Sequence, residues 1–170
     1  MLAIQHALEQ DVFRLARRNL LRNQFDAALR ASRNDLAEAA CRTGIAEAPD
    51  DERFRDCEVE LWSRTRGDRR IATTARARSD SLAALEPGTL FATRRELWIA
   101  EILARAGLGD SAAAVARRAT AGAPSAWQPL LISELIYLQI LRRDLDSALA
   151  LTALAIRVDP TLRSYVERVP

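Results

Sequence analysis

Four prolines recur at nearly equal intervals, and this regularity constrains the fold more than any other feature. Pro49, Pro87, Pro124 and Pro160 are separated by 38, 37 and 36 residues. Each follows a run rich in Ala or Leu. Proline does not continue a helix, because it lacks a backbone N–H and its ring clashes with the preceding turn. The spacing therefore predicts helices that end at regular intervals along the chain.

Turn-forming residues divide the stretches between the prolines. They lie at residues 33–35, 67–68, 107–110 and 142–144; all four segments contain Asp, and the second and third also contain Gly. Glycine adopts the left-handed conformation that ends a helix, and Asp or Asn caps the next one. Between the turns, apolar residues follow the helical period. The repeating unit is thus a helix, a short turn, a second helix and a proline turn.

The composition is consistent with paired helices. About a third of the residues are Ala or Leu, both strong helix formers, and β-branched residues are scarce. Such an apolar chain is not expected to be disordered, and 2 Cys are too few for a disulfide scaffold. Alanine at a helix crossing lets two backbones approach closely, so the excess of Ala fits helices packed side by side. We expect an all-α fold.

Residues 143–148, with Arg-Asp-Leu-Asp-Ser-Ala, resemble the second half of a tetratricopeptide repeat (TPR), and Ala155 and Asp159-Pro160 continue the resemblance. The segment 107–124 is similar, with Ala112, Ala119 and Pro124 at the same intervals. The resemblance is best over residues 90–160 and weaker before residue 90. It implies a right-handed α-α superhelix (an α-solenoid) of three to four helical hairpins.

On this basis the chain is expected to form a single domain of hairpin repeats. Residues 1–34 would form one or more leading helices, residues 35–88, 89–125 and 126–160 the repeats, and residues 161–170 a C-terminal capping helix. Two alternatives are open for the start of the chain. A turn at residues 23–26 could separate two helices, or one long helix could run through. In the cap, Leu162, Tyr165, Val166 and Val169 would face the last hairpin.

The family resemblance also implies a binding groove lined by the first helix of each hairpin. When the family's groove positions are transferred by way of Ala112 and Ala148, two successive repeats contribute five residues each. These are Arg94, Leu97, Trp98, Glu101 and Arg105, followed by Leu130, Ser133, Glu134, Tyr137 and Ile140. A mixture of Arg, Glu, Trp and Tyr suits a peptide groove. For the aromatic residues, packing between helices is the favoured role and groove binding the alternative.

Catalysis is not expected. The chain has one histidine, His6, and no lysine, so a histidine-based triad, a Schiff base and a phosphate-loop lysine are all excluded. Carboxylate pairs such as Asp144 and Asp146 lie at turns, where capping is their usual role. We predict a non-enzymatic protein with no cofactor and no metal site.

Charge is concentrated in two neighbouring segments. Seven acidic residues lie between Glu47 and Glu60, and six arginines lie between Arg64 and Arg78. One interpretation is a basic patch that binds nucleic acid or an acidic peptide. The favoured interpretation is that an acidic helix pairs with a basic helix across a turn. The net charge of +2 gives no global field that would attract nucleic acid or a membrane.

The two cysteines, Cys41 and Cys57, are 16 residues apart, a spacing that fits no zinc or CxxC pattern. Their occurrence in an apolar chain indicates small buried hydrophobic side chains in a reducing compartment, rather than a disulfide. The N-terminal residues lack the uninterrupted apolar run of a secretory signal, and no segment is apolar enough to span a bilayer. We therefore expect a cytoplasmic protein without membrane contact.

The predicted function is a scaffold or adaptor that binds a protein or peptide in the concave groove. Two alternatives remain open. The chain could be a regulatory or sensor region like the helical repeats of bacterial kinases, cyclases and transcription regulators. It could also bind nucleic acid through the segment from Arg64 to Arg78. The sequence identifies no partner and leaves homo-oligomerisation open.

Overall fold

Eight α-helices account for most of the chain that the computed structural model describes. The backbone is described for residues 2–84 and 88–162, and side chains for residues 14–82, 84 and 88–161. The helices are α1 (Leu2–Arg30), α2 (Asn34–Glu47), α3 (Glu52–Thr65), α4 (Arg69–Ala83), α5 (Leu90–Arg105), α6 (Gly109–Ala121), α7 (Gln128–Leu141) and α8 (Leu145–Val158). Short 3-10 turns lie at Ser125–Trp127 and Pro160–Leu162, and these described ranges contain no strand. The expectation of an all-α fold is confirmed.

The helix boundaries follow the sequence signals closely. Helices α2, α6 and α8 end shortly before Pro49, Pro124 and Pro160, whereas Pro87 lies outside the described residues. At the start of the chain, α1 runs unbroken through residues 23–26, so the alternative of one long helix is correct. Phe25 and Ala28 of α1 are buried in a hydrophobic core, which explains why the helix continues past the turn-forming residues. The proposed capping helix after Leu162 lies outside the described residues.

The chain divides into two units, Met1–Thr65 and Arg66–Pro170. In the first unit, α2 packs against both α1 and α3, and α1 also contacts α3. Apolar side chains of all three helices form its core, which includes Phe25, Ala40, Phe54 and Leu61. The predicted repeat at residues 35–88 thus contains three helices, of which α2 and α3 belong to this unit and α4 to the next.

A disulfide joins Cys41 of α2 to Cys57 of α3, with 5.7 Å between the two Cα atoms. The prediction of two reduced thiols is therefore wrong, although both residues are buried in the core as expected. The two cysteines lie eight residues before and eight residues after Pro49. Two helices that reverse direction at that turn bring positions equidistant from it side by side.

Because disulfides persist mainly in oxidising compartments, the cytoplasmic prediction loses the support it took from reduced thiols.

In the second unit, α5 is the central helix. It packs against α4, α6 and α7, and α7 in turn packs against α8. Leu97 and Ala100 of α5, Ala112 of α6 and Leu131 of α7 belong to one core cluster. Every residue from Leu97 to Ile102 is buried, as expected for a helix with neighbours on several sides. None of the described helices has both the length and the apolar content that a membrane crossing requires.

Three inter-helix turns share one hydrogen-bonding pattern. The second residue after the first helix has a positive φ, at Ser32 (55°), Gly107 (75°) and Arg143 (60°). The next N–H reaches back five residues, for example from Leu108 to the carbonyl of Leu103 at 2.9 Å. This is the Schellman geometry, which satisfies the last carbonyls of a helix. The turns from α1 to α2, α5 to α6 and α7 to α8 are therefore the same local structure.

Small residues recur at two positions in α2, α4, α6 and α8. Ala37, Ala72, Ala112 and Ala148 are buried, and each donates its N–H to the residue four positions earlier at the helix start. Seven residues further on stand Gly44, Ser79, Ala119 and Ala155, which are buried or half-buried. Two such positions on one helix face keep the neighbouring backbone close. The pattern extends the spacing of Ala112 and Ala119 to the first half of the chain.

Candidate functional site

The ten predicted groove residues lie on α5 and α7, two helices that pack against each other. On α5, Arg94, Glu101 and Arg105 are seven and four residues apart, which places them on one helix face. Leu130, Ser133, Tyr137 and Ile140 share a face of α7 for the same reason. The structure therefore brings the two predicted sets next to each other.

Arg94 links α5 to α7 through two contacts. Its Nε lies 3.0 Å from Oε1 of Glu134, and its Nη2 donates a hydrogen bond of 3.0 Å to the backbone carbonyl of Leu130. The Ser133 hydroxyl donates to the other carboxylate oxygen of Glu134 at 2.7 Å. Only 8% of the Glu134 side chain is exposed, compared with 27% of Arg94. A largely buried carboxylate thus fixes the position of a guanidinium that still reaches solvent.

Arg105 makes the second link, about three helical turns further along α5. Its Nη2 donates a hydrogen bond to the hydroxyl of Tyr137, and its guanidinium carbon is 5.5 Å from the centroid of the Tyr137 ring. A guanidinium at this distance from an aromatic centroid makes a cation–π contact. The long side chains of Arg94 and Arg105 are therefore held in place by contacts with α7.

Apolar side chains stand at the two ends of this polar strip. Leu130 and Ile140 are 50% and 48% exposed, and Ser133 between them is also exposed. Large exposed aliphatic residues on both sides of ordered polar groups are typical of binding surfaces, in which apolar contact supplies affinity and polar groups supply orientation. We call Arg94, Arg105, Leu130, Ser133, Tyr137 and Ile140 the α5–α7 face.

Four of the ten predicted residues lie beneath the surface. Leu97, Trp98 and Glu101 are at most 3% exposed, and Glu134 is 6% exposed. Leu97 is part of the core cluster shared by α5, α6 and α7. These residues support the α5–α7 face from inside and do not present their side chains to solvent.

Three residues of the charged segments, Glu47, Asp51 and Arg76, pair with residues outside both segments. Arg17 of α1 binds Glu47 with a distance of 2.5 Å between Nε and Oε2, and this hydrogen bond lowers the pKa of the Glu47 carboxyl below its ordinary value. Arg22, also on α1, pairs with Asp51. In the basic segment, Arg76 pairs with Glu96 of α5 at 2.5 Å. For these residues, the prediction that the acidic and basic segments pair with each other across the turn is wrong.

A search of the described residues finds no group of three or more His, Cys, Asp or Glu that could hold a metal ion. His6 lies in the part of α1 whose side chains are not described. Comparison with protein-family models, curated proteins and solved structures finds no match for this chain.

Proposed function

We propose that this chain is a TPR-like helical-repeat module that binds a protein segment along the α5–α7 face. The superhelical arrangement of hairpins that the family resemblance implies is part of this proposal. Three helix–turn–helix turns of the same geometry and the small residues at two recurring positions support it, because both are features of repeated helical hairpins.

The single observation that carries the binding proposal is the pre-ordering of Arg94 and Arg105. A free arginine loses side-chain entropy when it binds a ligand, on the order of 1 kcal/mol per ordered side chain. Glu134 and Tyr137 already hold the two guanidinium groups in this structure. The entropy cost is therefore met during folding, which leaves more of the contact energy for the ligand.

The chemistry of the face favours an extended peptide over a small molecule. The face runs along α7 from Leu130 to Ile140, a rise of about 15 Å. It is a strip on one side of a helix with apolar residues at both ends. Arg and Tyr are among the residues enriched in binding hot spots. A segment of about four or five extended residues would span it, at about 3.3 Å per residue.

The test compares two substitutions on the face with a matched control outside it. Leu130→Glu and Ile140→Glu place a carboxylate at exposed sites and should leave the fold intact. Leu20→Glu on α1 is the control, because Leu20 is 68% exposed and lies in the other unit. Proteins captured from a cell extract by both the wild-type chain and Leu20→Glu would be purified and titrated against all the variants.

We expect the face variants to bind such a partner at least about tenfold more weakly, which is the loss typical of a disrupted hot spot. Circular dichroism should show the same helical content in all variants. Equal affinity of the wild-type chain and both face variants for every captured partner would contradict the proposal.

Nucleic-acid binding through the segment from Arg64 to Arg78 is a less favoured proposal. Arg76 pairs with Glu96, as Arg94 pairs with Glu134, so this contact does not separate the two proposals. Arg66, Arg69 and Arg70 remain exposed. If they bind phosphates, affinity for DNA or RNA should fall steeply with salt concentration. A role as a regulatory or sensor region would use the same α5–α7 face, with a partner domain as its ligand.

A further inference from the structure

The exposed residues of α8 form a pattern that is symmetric about the middle of the helix. Eight residues are exposed, and they are Leu145, Asp146, Leu149, Ala150, Ala153, Leu154, Arg157 and Val158. Ala148 and Ala155 on the opposite side are buried against the rest of the unit. We call the eight exposed residues the outer face of α8.

Each residue of the outer face has a counterpart of matching chemistry at the same distance from the helix centre. Leu145 corresponds to Val158, Leu149 to Leu154, and Ala150 to Ala153. Asp146 corresponds to Arg157, so the charged pair is of opposite sign. A helix read from either end therefore presents large apolar, charged, large apolar and small residues in the same relative positions.

We propose that the outer face of α8 binds the outer face of α8 in a second copy of this chain, with the two helices antiparallel. In a two-fold symmetric interface, residue i of one subunit meets residue j of the other, and j meets i. Antiparallel pairing about the centre of α8 brings Asp146 opposite Arg157 of the second copy, twice. Ala150 and Ala153 lie next to the central line that runs through Asp146 and Arg157, Leu149 and Leu154 lie on its two sides, and Leu145 and Val158 lie further out. The spacing follows from the helical period, whereas the opposite charges of Asp146 and Arg157 at matching positions are what a second copy explains.

The apolar content of this face requires a partner. Leu145, Leu149 and Val158 are 62%, 68% and 54% exposed, and Leu154 is 39% exposed. Large apolar side chains as exposed as these, here along both edges of the outer face, indicate an interaction site, because contact with water is unfavourable for them. Ala150 and Ala153 lie at the centre, where small side chains allow two helices to come close. The opposed helix dipoles add a further favourable contribution.

The expected association is modest in strength. The outer face extends along 14 residues, about 20 Å, which is at the small end of interface sizes. The dimer should therefore dissociate on dilution. This inference does not depend on ligand binding at the α5–α7 face, because α8 contributes no residue to that face.

Two charge reversals test the pairing directly. Asp146→Arg places arginine opposite Arg157 of the second copy, and Arg157→Asp places aspartate opposite Asp146. Each variant alone should dimerise at least about tenfold more weakly than the wild-type chain, since the repulsive contact occurs twice. A mixture of the two variants should dimerise again, because each arginine of the first variant then lies opposite an aspartate of the second.

The double variant Asp146→Arg/Arg157→Asp should also dimerise. Asp110→Arg is the matched control, because Asp110 is exposed in the first turn of α6, 36 residues before Asp146, and lies outside the outer face. It should leave dimerisation unchanged. Sedimentation velocity over a wide range of concentrations reports the mass, with circular dichroism to confirm folding.

The supporting result is a wild-type species of twice 18.9 kDa that each single variant loses and that the mixture and the double variant restore. A wild-type chain that stays monomeric at every concentration would overturn the proposal and assign the outer face to another occupant. A dimer insensitive to both charge reversals would overturn it too, because a different surface would then hold the subunits together. Loss without restoration would exclude the antiparallel arrangement.

Discussion

Individual residues fix the contact between α2 and α3. Gly44 lies against the ring of Phe54, and a Cβ atom added at Gly44 would overlap that ring. The disulfide between Cys41 and Cys57 lies in the same core. Because Gly44 has no side chain, α2 and α3 approach each other closely, and the disulfide links the same two helices covalently. The free energy of unfolding of the first unit should depend on both.

We predict that Gly44→Ala lowers the free energy of unfolding by about 1–3 kcal/mol, the usual cost of forcing an extra carbon atom into a packed core. Denaturant unfolding followed by circular dichroism measures it. The control is Gly122→Ala, because a Cβ atom at Gly122 would meet no other atom within 4 Å. A loss of the same size in both variants would show that packing against Phe54 is not the cause.

Removal of the disulfide should also destabilise the protein. The bond joins residues that are 16 positions apart, and the chain-entropy argument for a loop of this size predicts a contribution of about 3 kcal/mol. We expect the double variant Cys41→Ala/Cys57→Ala to unfold at a lower denaturant concentration than the wild-type chain, and reductant to shift only the wild-type curve. A wild-type curve that is the same with and without reductant would contradict this prediction.

At the scale of the helices, the turns decide how each pair is closed. Gly107 and Arg143 occupy the same place in the Schellman turns after α5 and α7, with φ angles of 75° and 60°. Glycine has no Cβ atom and adopts this conformation without strain, whereas for other residues it costs about 1 kcal/mol. The turn after α7 is therefore less favourable than the turn after α5, although the hydrogen bonds are the same.

Introducing glycine at position 143 and removing it at position 107 should change the free energy of unfolding in opposite directions. Arg143→Gly should raise the free energy of unfolding by about 0.5–1 kcal/mol, and Gly107→Ala should lower it by about 1 kcal/mol. Both effects are measured by denaturant unfolding of the full chain. If Arg143→Gly destabilises the protein instead, the side chain of Arg143 makes a contact that outweighs the backbone strain.

At the scale of the whole molecule, the two units have separate hydrophobic cores. The cluster that contains Phe25 and Phe54 draws only on α1, α2, α3 and the segment between α2 and α3, and the cluster that contains Leu97 and Leu131 draws only on residues after α4. A unit with its own core is able in principle to fold by itself. The division lies between Thr65 and Arg66, next to a short exposed turn.

We predict that the fragment 66–170 folds alone, with helical circular dichroism and a cooperative thermal transition. A shorter fragment, 90–170, removes α4 and with it Ala72, Ala75 and Leu82, which are buried in the intact chain. It should unfold at a lower temperature than the fragment 66–170. A fragment 66–170 without a cooperative transition would show that the second unit needs the first in order to fold.

Local signals in the sequence are sufficient to predict several elements. Prolines, glycines and capping residues act within one or two helical turns, so Pro49, Pro124 and Pro160 mark helix ends correctly. Asp68 and Asp144 are correct as N-caps, since their carboxylates accept hydrogen bonds from the backbone N–H groups of Ile71 and Ser147. A turn at residues 23–26 does not form, because burial of Phe25 and Ala28 outweighs a local preference.

The sequence by itself determined that the chain is helical, where most helices end and which positions must be small. Only the tertiary structure decided which helices are neighbours. A helical period of 3.6 residues places Arg94, Leu97, Trp98 and Glu101 near one face, but it does not say that Leu97, Trp98 and Glu101 are covered while Arg94 reaches Glu134. In the same way, spacing alone left Cys41 and Cys57 as separate thiols. Their bond depends on how two helices pack, which is a property of contacts distant in sequence.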